Sequence, residues 1–282
     1  MHIDSFFACS NSNFEEAEFI IFGIPFDATQ SFKPGSRFAP TAIREASWNL
    51  ENYSLFFDFE LDFVRICDAG NVNVDGGFDR ILKNVDVFLS RIDLSKQIPI
   101  ALGGEHTVTY AILKALNSKL NLDNICYVVF DAHFDLRDEF DDSKFNHACT
   151  TRRIFELGVG DIVQIGVRSG TKEERLFAEE NGIRYFHPWQ DFDEVLREIK
   201  TIVKDRPIYL SIDMDAFDPA FAPGVSTPEP FGLNPIVMLR FFEEFSDNIL
   251  ALDIVEVIPD QEKITPMLSA KLIFEFIASK SR

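Results

Sequence analysis

The chain has 282 residues, of which 46% are hydrophobic and 26% are charged. This balance is typical of a globular protein with a large core and argues against a disordered chain. The formal net charge of −19 argues against a nucleic-acid-binding protein, because phosphate contacts need a basic surface. The same charge is compatible with a small cationic substrate. No repeat or linker divides the chain, so the sequence predicts one domain over residues 1–282.

Targeting features and cysteine pairs give little signal. The N-terminal residues lack the basic start and apolar run of a signal peptide. No apolar stretch approaches the roughly 20 residues that span a bilayer. The four cysteines are scattered and match neither a disulfide framework nor a zinc-cysteine pattern. The sequence therefore predicts a cytoplasmic protein with no membrane partner.

Short apolar, β-branched runs alternate with longer amphipathic stretches along the chain. The predicted strands are 19–23, 64–68, 98–102, 125–130, 162–167, 183–186, 208–212 and 249–257. Several of these runs are apolar on both faces, as expected for parallel strands covered by helices. The predicted helices are 39–50, 78–92, 107–120, 172–180, 194–204, 235–245 and 269–278. This alternation predicts a three-layer α/β/α fold with a parallel sheet of about eight strands.

Charged residues lie at or directly after the ends of four of the predicted strands. Gly-Gly-Glu-His at 103–106 follows the third strand, Asp-Ala-His-Phe-Asp at 131–135 follows the fourth, and Asp-Met-Asp at 213–215 follows the seventh. Glu256 lies near the end of the eighth strand. Ligands bind beyond the carboxyl ends of the strands in open parallel sheets, so these motifs are expected to share one site.

Six side chains in these motifs are candidates for metal ligands. They are His106, Asp131, His133, Asp135, Asp213 and Asp215. Side chains two residues apart on an extended chain point the same way, which favours their convergence. Four carboxylates would repel one another unless cations lay among them, and a set of this size suits two divalent ions about 3.5–4 Å apart. Oxygen-rich ligation with some imidazole favours Mn²⁺, with Zn²⁺, Fe²⁺ or Co²⁺ left open.

Each motif alone has a simpler interpretation. Taken alone, His106 after two glycines is more typical of a turn or a helix start, and the pair at 213 and 215 is more typical of exposed loop acids or helix caps. Three such motifs at one sheet edge are much harder to attribute to chance. His2 and His187 lack this context, and we interpret both as surface or structural residues.

The three motifs resemble the signatures of the ureohydrolase family, which includes arginases and agmatinases, and the resemblance is nearest to microbial agmatinases. Further family-like stretches are 23–27, 34–40, 165–169 and 253–257. The resemblance implies an arginase-like fold, one ureohydrolase-type catalytic domain over 1–282, and a homo-oligomer, either a trimer or a hexamer.

The resemblance also implies a dinuclear manganese site with two shared ligands. One ion would be held by His106, Asp131, Asp135 and Asp213, and the other by His133, Asp131, Asp213 and Asp215. Asp131 and Asp213 would bridge the two ions. Such ions lower the pKa of a bridging water, and Asp135 would accept a hydrogen bond from the resulting nucleophile and orient it.

Three more residues complete the site by resemblance. Glu256 would bind the guanidinium group of the substrate, since a buried carboxylate needs a partner. His147, within Asn-His-Ala-Cys-Thr at 146–150, would relay a proton to the leaving amine. Thr227 would line the pocket. The alternatives are a Glu256 paired with a structural arginine and a His147 that is an ordinary loop residue.

Departures from the arginase pattern bear on the substrate. Arg137 stands where arginases have an asparagine that helps to bind the amino-acid carboxylate, and Ser169 and Gly170 stand where they carry an acid for the α-amino group. Both differences favour agmatine, cleaved to urea and putrescine, as the small cationic substrate. The acids at 138, 139, 141 and 142 could hold its distal amine, or could simply solvate the loop.

Three further departures leave the pocket shape open, because Phe134, Ala148 and Ser226 replace smaller residues of the family. The alternative substrates are aminopropylagmatine, guanidinobutyrate, arginine and formiminoglutamate. A non-catalytic family member that binds a ligand or partner is the remaining alternative.

Overall fold

A computed structural model describes residues 6–282, so the prediction for His2 lies outside the described residues. The strands are β1 (Phe19–Gly23), β2 (Tyr53–Ser54), β3 (Phe59–Glu60), β4 (Ile66–Asn71), β5 (Ile98–Leu102), β6 (Cys126–Phe130), β7 (Asp161–Ile165), β8 (Arg184–Phe186), β9 (Ile208–Asp213) and β10 (Ile249–Val255). Strands β2 and β3 form a short antiparallel pair, which the sequence did not predict. The other eight strands correspond to the eight predicted ones.

Helices flank the sheet on both sides. They are α1 (Ala39–Ser47), α2 (Phe78–Leu89), α3 (Thr107–Leu116), α4 (Thr150–Glu156), α5 (Lys172–Glu180), α6 (Phe192–Val203), α7 (Ile236–Phe245) and α8 (Ile264–Ser281). The seven predicted helices are present, and among the α-helices of the described residues only the short α4 was missed. Helix α8 begins five residues earlier than predicted, because Pro266 is tolerated in a first turn, where its missing N–H would have no intrahelical partner. Within residues 6–282, no helix is both long and apolar enough to cross a membrane.

The eight-stranded sheet is parallel throughout, with the order β4-β1-β5-β10-β9-β6-β7-β8. This confirms the predicted fold class. The four strands that carry the charged motifs are β5, β10, β9 and β6, and they are direct neighbours at the centre of the sheet. Their carboxyl ends therefore meet at one edge, where ligands bind in folds of this type.

The sheet separates two hydrophobic cores. Leu210 and Leu252 face the core that contains α1, α6, α7 and α8, whereas Tyr209 and Ala251 face the core that contains α2, α3, α4 and α5. Successive side chains of a strand point to opposite faces, so both faces of each central strand must be apolar. This requirement explains the almost continuous apolar runs in the sequence.

Gly104 allows the end of β5 to lie against a neighbouring loop. A Cβ atom at Gly104 would lie 1.8 Å from the carbonyl oxygen of Phe26, so no other residue fits there without moving the backbone. The N–H of Glu105 donates to that same carbonyl at 2.7 Å, and the N–H of Glu256 donates to the carbonyl of Gly104 at 2.9 Å. The loops that follow β1, β5 and β10 are thereby tied together, and α3 begins directly after His106.

Candidate active site

The first group of predicted ligands surrounds the ring of His106. Its Nδ1 atom lies 3.2 Å from Asp131 Oδ2, 2.9 Å from Asp135 Oδ2 and 3.4 Å from Asp213 Oδ2. All four residues are buried. The structure thus brings together the four residues predicted to share one ion.

The second group surrounds the ring of His133. Its Nδ1 atom lies 3.0 Å from Asp215 Oδ2 and 3.6 Å from Asp131 Oδ1. Asp131 therefore directs one carboxylate oxygen to each histidine, as a bridging ligand would. Both Oδ1 atoms also accept a backbone N–H, that of His133 for Asp131 and that of Asp215 for Asp213. Asp213 differs because it approaches only one histidine, with Oδ2 directed to His106. The bridging role of Asp213 stays a prediction.

The ligand side chains converge through turns rather than through an extended strand. Strand β6 ends before Asp131, and Asp135 has a left-handed backbone with a φ of 50°. Asp213 ends β9 and caps the short 3-10 turn Met214–Ala216, which reorients Asp215. Aspartate tolerates such conformations better than most residues. The predicted convergence occurs, but the alternation used to predict it is not its cause.

The chemistry of this cluster fits bound divalent cations. His106 Nδ1 and Asp131 Oδ2 are buried, face each other, and have no hydrogen-bond partner within the described part of the chain. Burial, reinforced by the charge of Asp131, raises the pKa of Asp135 to about 7. Burial and the carboxylates of Asp215 and Asp131 likewise raise the pKa of Asp213 well above its usual range. Cations among these groups would relieve the repulsion that opposes their ionisation.

Arg168 fixes the loop that carries Asp215. Its guanidinium donates to the backbone carbonyls of Asp215 at 2.7 Å, Ala216 at 3.1 Å and Glu229 at 2.8 Å. Thr227 Oγ1 then donates to Asp215 Oδ2 at 3.1 Å. Thr227 lies at the wall of the cavity, as predicted, and it also contacts the candidate metal ligand Asp215 directly.

Glu256 lies one residue beyond β10, whereas the sequence placed it within the strand. Its φ of 64° turns the chain away from the sheet, and its side chain is buried. Oε1 accepts the backbone N–H of His106 at 2.7 Å, and Oε2 accepts hydrogen bonds from Gln30 Nε2 at 2.6 Å and from the Ser226 hydroxyl. Among residues 6–282 no lysine or arginine forms an ion pair with Glu256, so the structural-arginine alternative finds no support. Neutral donors hold the carboxylate and leave its charge for a ligand.

His147 follows Asn146 in a short 3-10 turn beside the cluster. Its Nδ1 lies 3.3 Å from Thr29 Oγ1, and its Nε2 lies 3.2 Å from Ser31 Oγ. Burial lowers the pKa of His147, and the charge of Glu256 opposes that shift only in part. The imidazole is therefore mostly neutral at pH 7, the state in which it can accept and pass on a proton.

A cavity of about 290 Å³ lies at this edge of the sheet. All predicted site residues except Asp131 line it, and Asp131 lies buried behind them. The volume of the cavity is close to the lower limit of the range of about 300–1,000 Å³ that is usual for ligand sites, and such a volume suits a small substrate.

Arg137 lies in the cavity wall with its charge partly compensated. Its Nε atom is 3.8 Å from Glu174 Oε2, and its guanidinium lies 4.8 Å from the centre of the Phe140 ring. Glu174 also accepts the backbone N–H groups of Leu136 and Thr171, at 3.1 Å and 2.9 Å. This arrangement gives Arg137 a partner within the protein.

The three departures from the family pattern have distinct positions. Phe134 packs edge-on against Tyr185 and lies so close to Gly170 that a Cβ atom there would be 2.5 Å from the ring. Ala148 lines the cavity, and Ser226 binds Glu256. Phe134 therefore closes one side of the cavity, while Ser226 helps to position a candidate substrate ligand.

The acidic run that follows Arg137 does not line the cavity. Asp138 instead forms ion pairs with Arg153 at 2.9 Å and Lys144 at 3.6 Å. This placement favours the solvated-loop interpretation of the run. His187 bonds to the Val167 carbonyl and stacks on a tryptophan outside the cavity, in keeping with the structural role predicted for it.

Several contacts to the site were not predicted from the sequence. Thr29, Gln30 and Ser31 reach His147 and Glu256 from the loop after β1. These three residues carry no motif of their own. The family-like stretches 23–27 and 34–40 lie on either side of them, and this was the one signal that could have pointed to the loop.

The profile of the arginase family matches residues 17–278. The chain belongs to the arginase family. It is therefore a hydrolase that acts on guanidino compounds, and the predicted resemblance and enzyme class are confirmed. The family is one of dinuclear metal enzymes, while the identity of the metal stays a prediction.

Relatives match along nearly the whole arginase-family chain. An agmatinase of Pyrococcus horikoshii is 39% identical over 274 residues, covering 95% of this chain and 94% of that one. An N(1)-aminopropylagmatine ureohydrolase of Thermococcus kodakarensis is 40% identical over 279 residues, covering 95% and 92%. The crystal structure of an agmatine ureohydrolase of Thermoplasma volcanium superposes with a TM-score of 0.90 at 36% identity, covering 100% and 96%.

Proposed function

We propose that this hydrolase cleaves agmatine to urea and putrescine. The observation that carries the proposal is the state of Glu256, which is buried, lines the cavity of the histidine and carboxylate cluster, and is bound by neutral donors. A buried carboxylate without a charged partner is costly, and a planar guanidinium would supply that partner through paired hydrogen bonds.

The donor set supports two Mn²⁺ ions as the cofactor. The groups around His106 and His133 would hold them, with Asp131 shared, and imidazole with several carboxylates suits Mn²⁺. When bound, such ions supply a water-derived nucleophile near neutral pH for attack on the guanidinium carbon. Asp135 is placed to accept a hydrogen bond from that nucleophile and to orient it.

His147 is placed to serve the leaving group. When the bond between the guanidinium carbon and the nitrogen of the aminobutyl chain breaks, that nitrogen must gain a proton. The Nε2 atom of His147, beside Ser31 at the cavity, can take a proton from the site and deliver it to the amine. Because burial lowers the pKa of His147, its neutral ring can accept a proton and then release it readily to the amine.

The tail of the substrate is the basis for choosing agmatine over arginine. The carboxylate of Glu174 already offsets the charge of Arg137, so the pair offers little to a substrate carboxylate. Ser169 donates to Glu229 at 2.8 Å, and no acid at position 169 or 170 is present to hold an α-amino group. The agmatinase and agmatine ureohydrolase names of similar chains support the same choice.

N(1)-aminopropylagmatine is a second candidate. Glu229 lies beside the cavity with 36% of its side chain exposed and is 3.8 Å from His133 Nε2. If a bound substrate had a longer cationic tail, the part of the tail that extends out of the cavity would lie near the carboxylate of Glu229. The Thermococcus relative named for this substrate supports the candidate.

A substrate panel tests the proposal directly. Urea release is measured with agmatine, aminopropylagmatine, arginine and guanidinobutyrate, with and without Mn²⁺. We expect the highest kcat/KM with agmatine and little release without metal. Urea from none of them would contradict the proposal, ammonia or formamide without urea would indicate a formimino substrate, and bound metal without turnover would indicate a non-catalytic binder.

The homotrimer or homohexamer and the cytoplasmic location remain predictions from the sequence. Sedimentation of the purified protein tests the first, and fractionation of cells tests the second.

A further inference from the structure

A chain of hydrogen bonds joins Glu105 to His147 through Thr29. The hydroxyl of Thr29 donates to Glu105 Oε1 at 2.7 Å. The Oγ1 atom of Thr29 also lies 3.0 Å from the backbone nitrogen of His147 and 3.3 Å from the ring atom Nδ1 of His147. None of these three residues belongs to the predicted set of metal ligands.

The Thr29 hydroxyl has a single proton, and this determines which partner donates in each of its hydrogen bonds. A hydroxyl group has one proton to donate and two lone pairs to accept with. The proton goes to Glu105, so both contacts from His147 must be donated to Thr29. The backbone N–H of His147 supplies one and the ring Nδ1–H supplies the other. Neutral His147 then has no proton on Nε2, the ring atom beside Ser31 and the cavity.

Three donors of the protein point at the two carboxyl oxygens of Glu105, which places Glu105 as the acceptor in these bonds. Its side chain is fully buried, and Oε1 accepts a second hydroxyl, that of Thr107, at 2.8 Å. Its Oε2 accepts the backbone N–H of Thr29 at 2.7 Å. Within the described chain Glu105 forms no ion pair, so these three donors are what compensate its burial. Glu105 thereby holds both the loop and the hydroxyl of Thr29 in place.

We infer that Glu105 and Thr29 are positioning residues that hold His147 in the tautomer with the proton on Nδ1, leaving Nε2 to exchange protons with the reacting groups. The inference deepens the proposed function and depends on the role given there to His147. A ring held in the other tautomer would present an N–H to the cavity and could not accept a proton there.

The variant Thr29→Val tests the inference with little change of shape. It removes the hydroxyl but keeps the backbone N–H that binds Glu105, so the loop anchor is retained. Thr29→Ser restores a hydroxyl and serves as the matched control. Ring ¹⁵N spectra of histidine-labelled protein are recorded in the solid state at pH 8, after loading with diamagnetic Zn²⁺. The signal of His147 is assigned from its loss in His147→Gln.

We expect the wild type and Thr29→Ser to show a protonated Nδ1 and a bare Nε2. Thr29→Val should show a mixture of tautomers and a kcat reduced between about 10-fold and 100-fold, with KM changed much less, since misplacing a catalytic group by about 1 Å costs up to about 100-fold. A proton on Nε2 in the wild type, or an unchanged tautomer and kcat in Thr29→Val, would overturn the inference.

The two proposals can fail separately. If no guanidine is hydrolysed but the tautomer depends on Thr29, the proposed function fails and the positioning by Thr29 stands. If agmatine is hydrolysed while His147 has the other tautomer, the reverse holds. Glu105→Gln gives an independent check, because a glutamine amide has only one oxygen that can accept hydrogen bonds, whereas Glu105 accepts at two, so the variant should also perturb the tautomer.

Discussion

The backbone N–H of His106 donates a 2.7 Å hydrogen bond to Glu256 Oε1, while the ring of the same residue faces Asp131 and Asp135. One residue thus contacts both the candidate metal cluster and the candidate guanidinium ligand. The two parts of the site are held at a fixed separation by this backbone contact. A guanidinium bound to Glu256 would therefore lie at a set distance from the cluster, as hydrolysis at its carbon requires.

The shared position of Asp131 predicts the outcome of removing it. Asp131→Asn should reduce the metal content from two ions per chain toward none, because one carboxylate oxygen faces each histidine. Asp213→Ala is expected to do the same if Asp213 bridges as predicted. Metal content is measured by elemental analysis after dialysis, with the exposed Asp141→Asn as the control. Full metal content with a normal rate would refute the ligand assignment.

Glu256→Gln should weaken recognition of the guanidinium group. The change keeps the size of the side chain but removes its charge, and losing one partner of a buried charge pair costs roughly 2–5 kcal/mol in kcat/KM. Steady-state kinetics with agmatine measure the loss, and the exposed Glu180→Gln serves as the control. An unchanged kcat/KM would remove Glu256 from the site.

Arg137→Ala should shift selectivity toward cationic tails. Without the guanidinium, the carboxylate of Glu174 becomes the uncompensated charge at the cavity wall. We expect the kcat/KM ratio of agmatine to guanidinobutyrate to rise by the equivalent of up to about 1 kcal/mol, since Arg137 is partly exposed to water. Arg152→Ala, outside the cavity, should leave the ratio unchanged. A fall in the ratio would contradict the placement of Arg137.

The burial of Glu105 predicts a pH dependence of stability. Burial raises its pKa in the folded chain from 4.5 to about 7, against the hydrogen bonds from Thr29. The folded state then binds more protons than the unfolded state between these values, so the contribution of Glu105 to stability is full below pH 4.5 and is lost as the pH rises through 7. The free energy of unfolding of Glu105→Gln, relative to that of the wild type, should therefore increase between pH 5 and pH 8, by a few kcal/mol at most.

Urea denaturation at the two pH values measures this difference. The exposed Glu243→Gln should follow the wild type at both. If the free energy of unfolding of Glu105→Gln instead fell relative to that of the wild type as the pH rose, Glu105 would have to ionise readily in the folded chain.

The sequence alone located the strands, most of the helices and the residues of the candidate site. Apolar runs such as Cys126–Phe130 are buried on both faces, and this burial is visible in the sequence as an unbroken series of apolar residues. The motifs around His106, Asp131 and Asp213 were visible because polar residues directly after apolar strands are conspicuous. Helix α4 was missed because seven residues carry too little periodicity to stand out.

Tertiary structure alone decided how these pieces meet. Strand β10 lies between β5 and β9, and this order places Glu256 against His106, 150 residues away in sequence. The loop at Thr29 reaches His147 from a similar distance along the chain. The spacing of apolar residues along the sequence indicates which residues are buried. The order of the strands, in contrast, depends on how the helices pack across the whole sheet. The partners of Glu256 and His147 could therefore be found only in the folded chain.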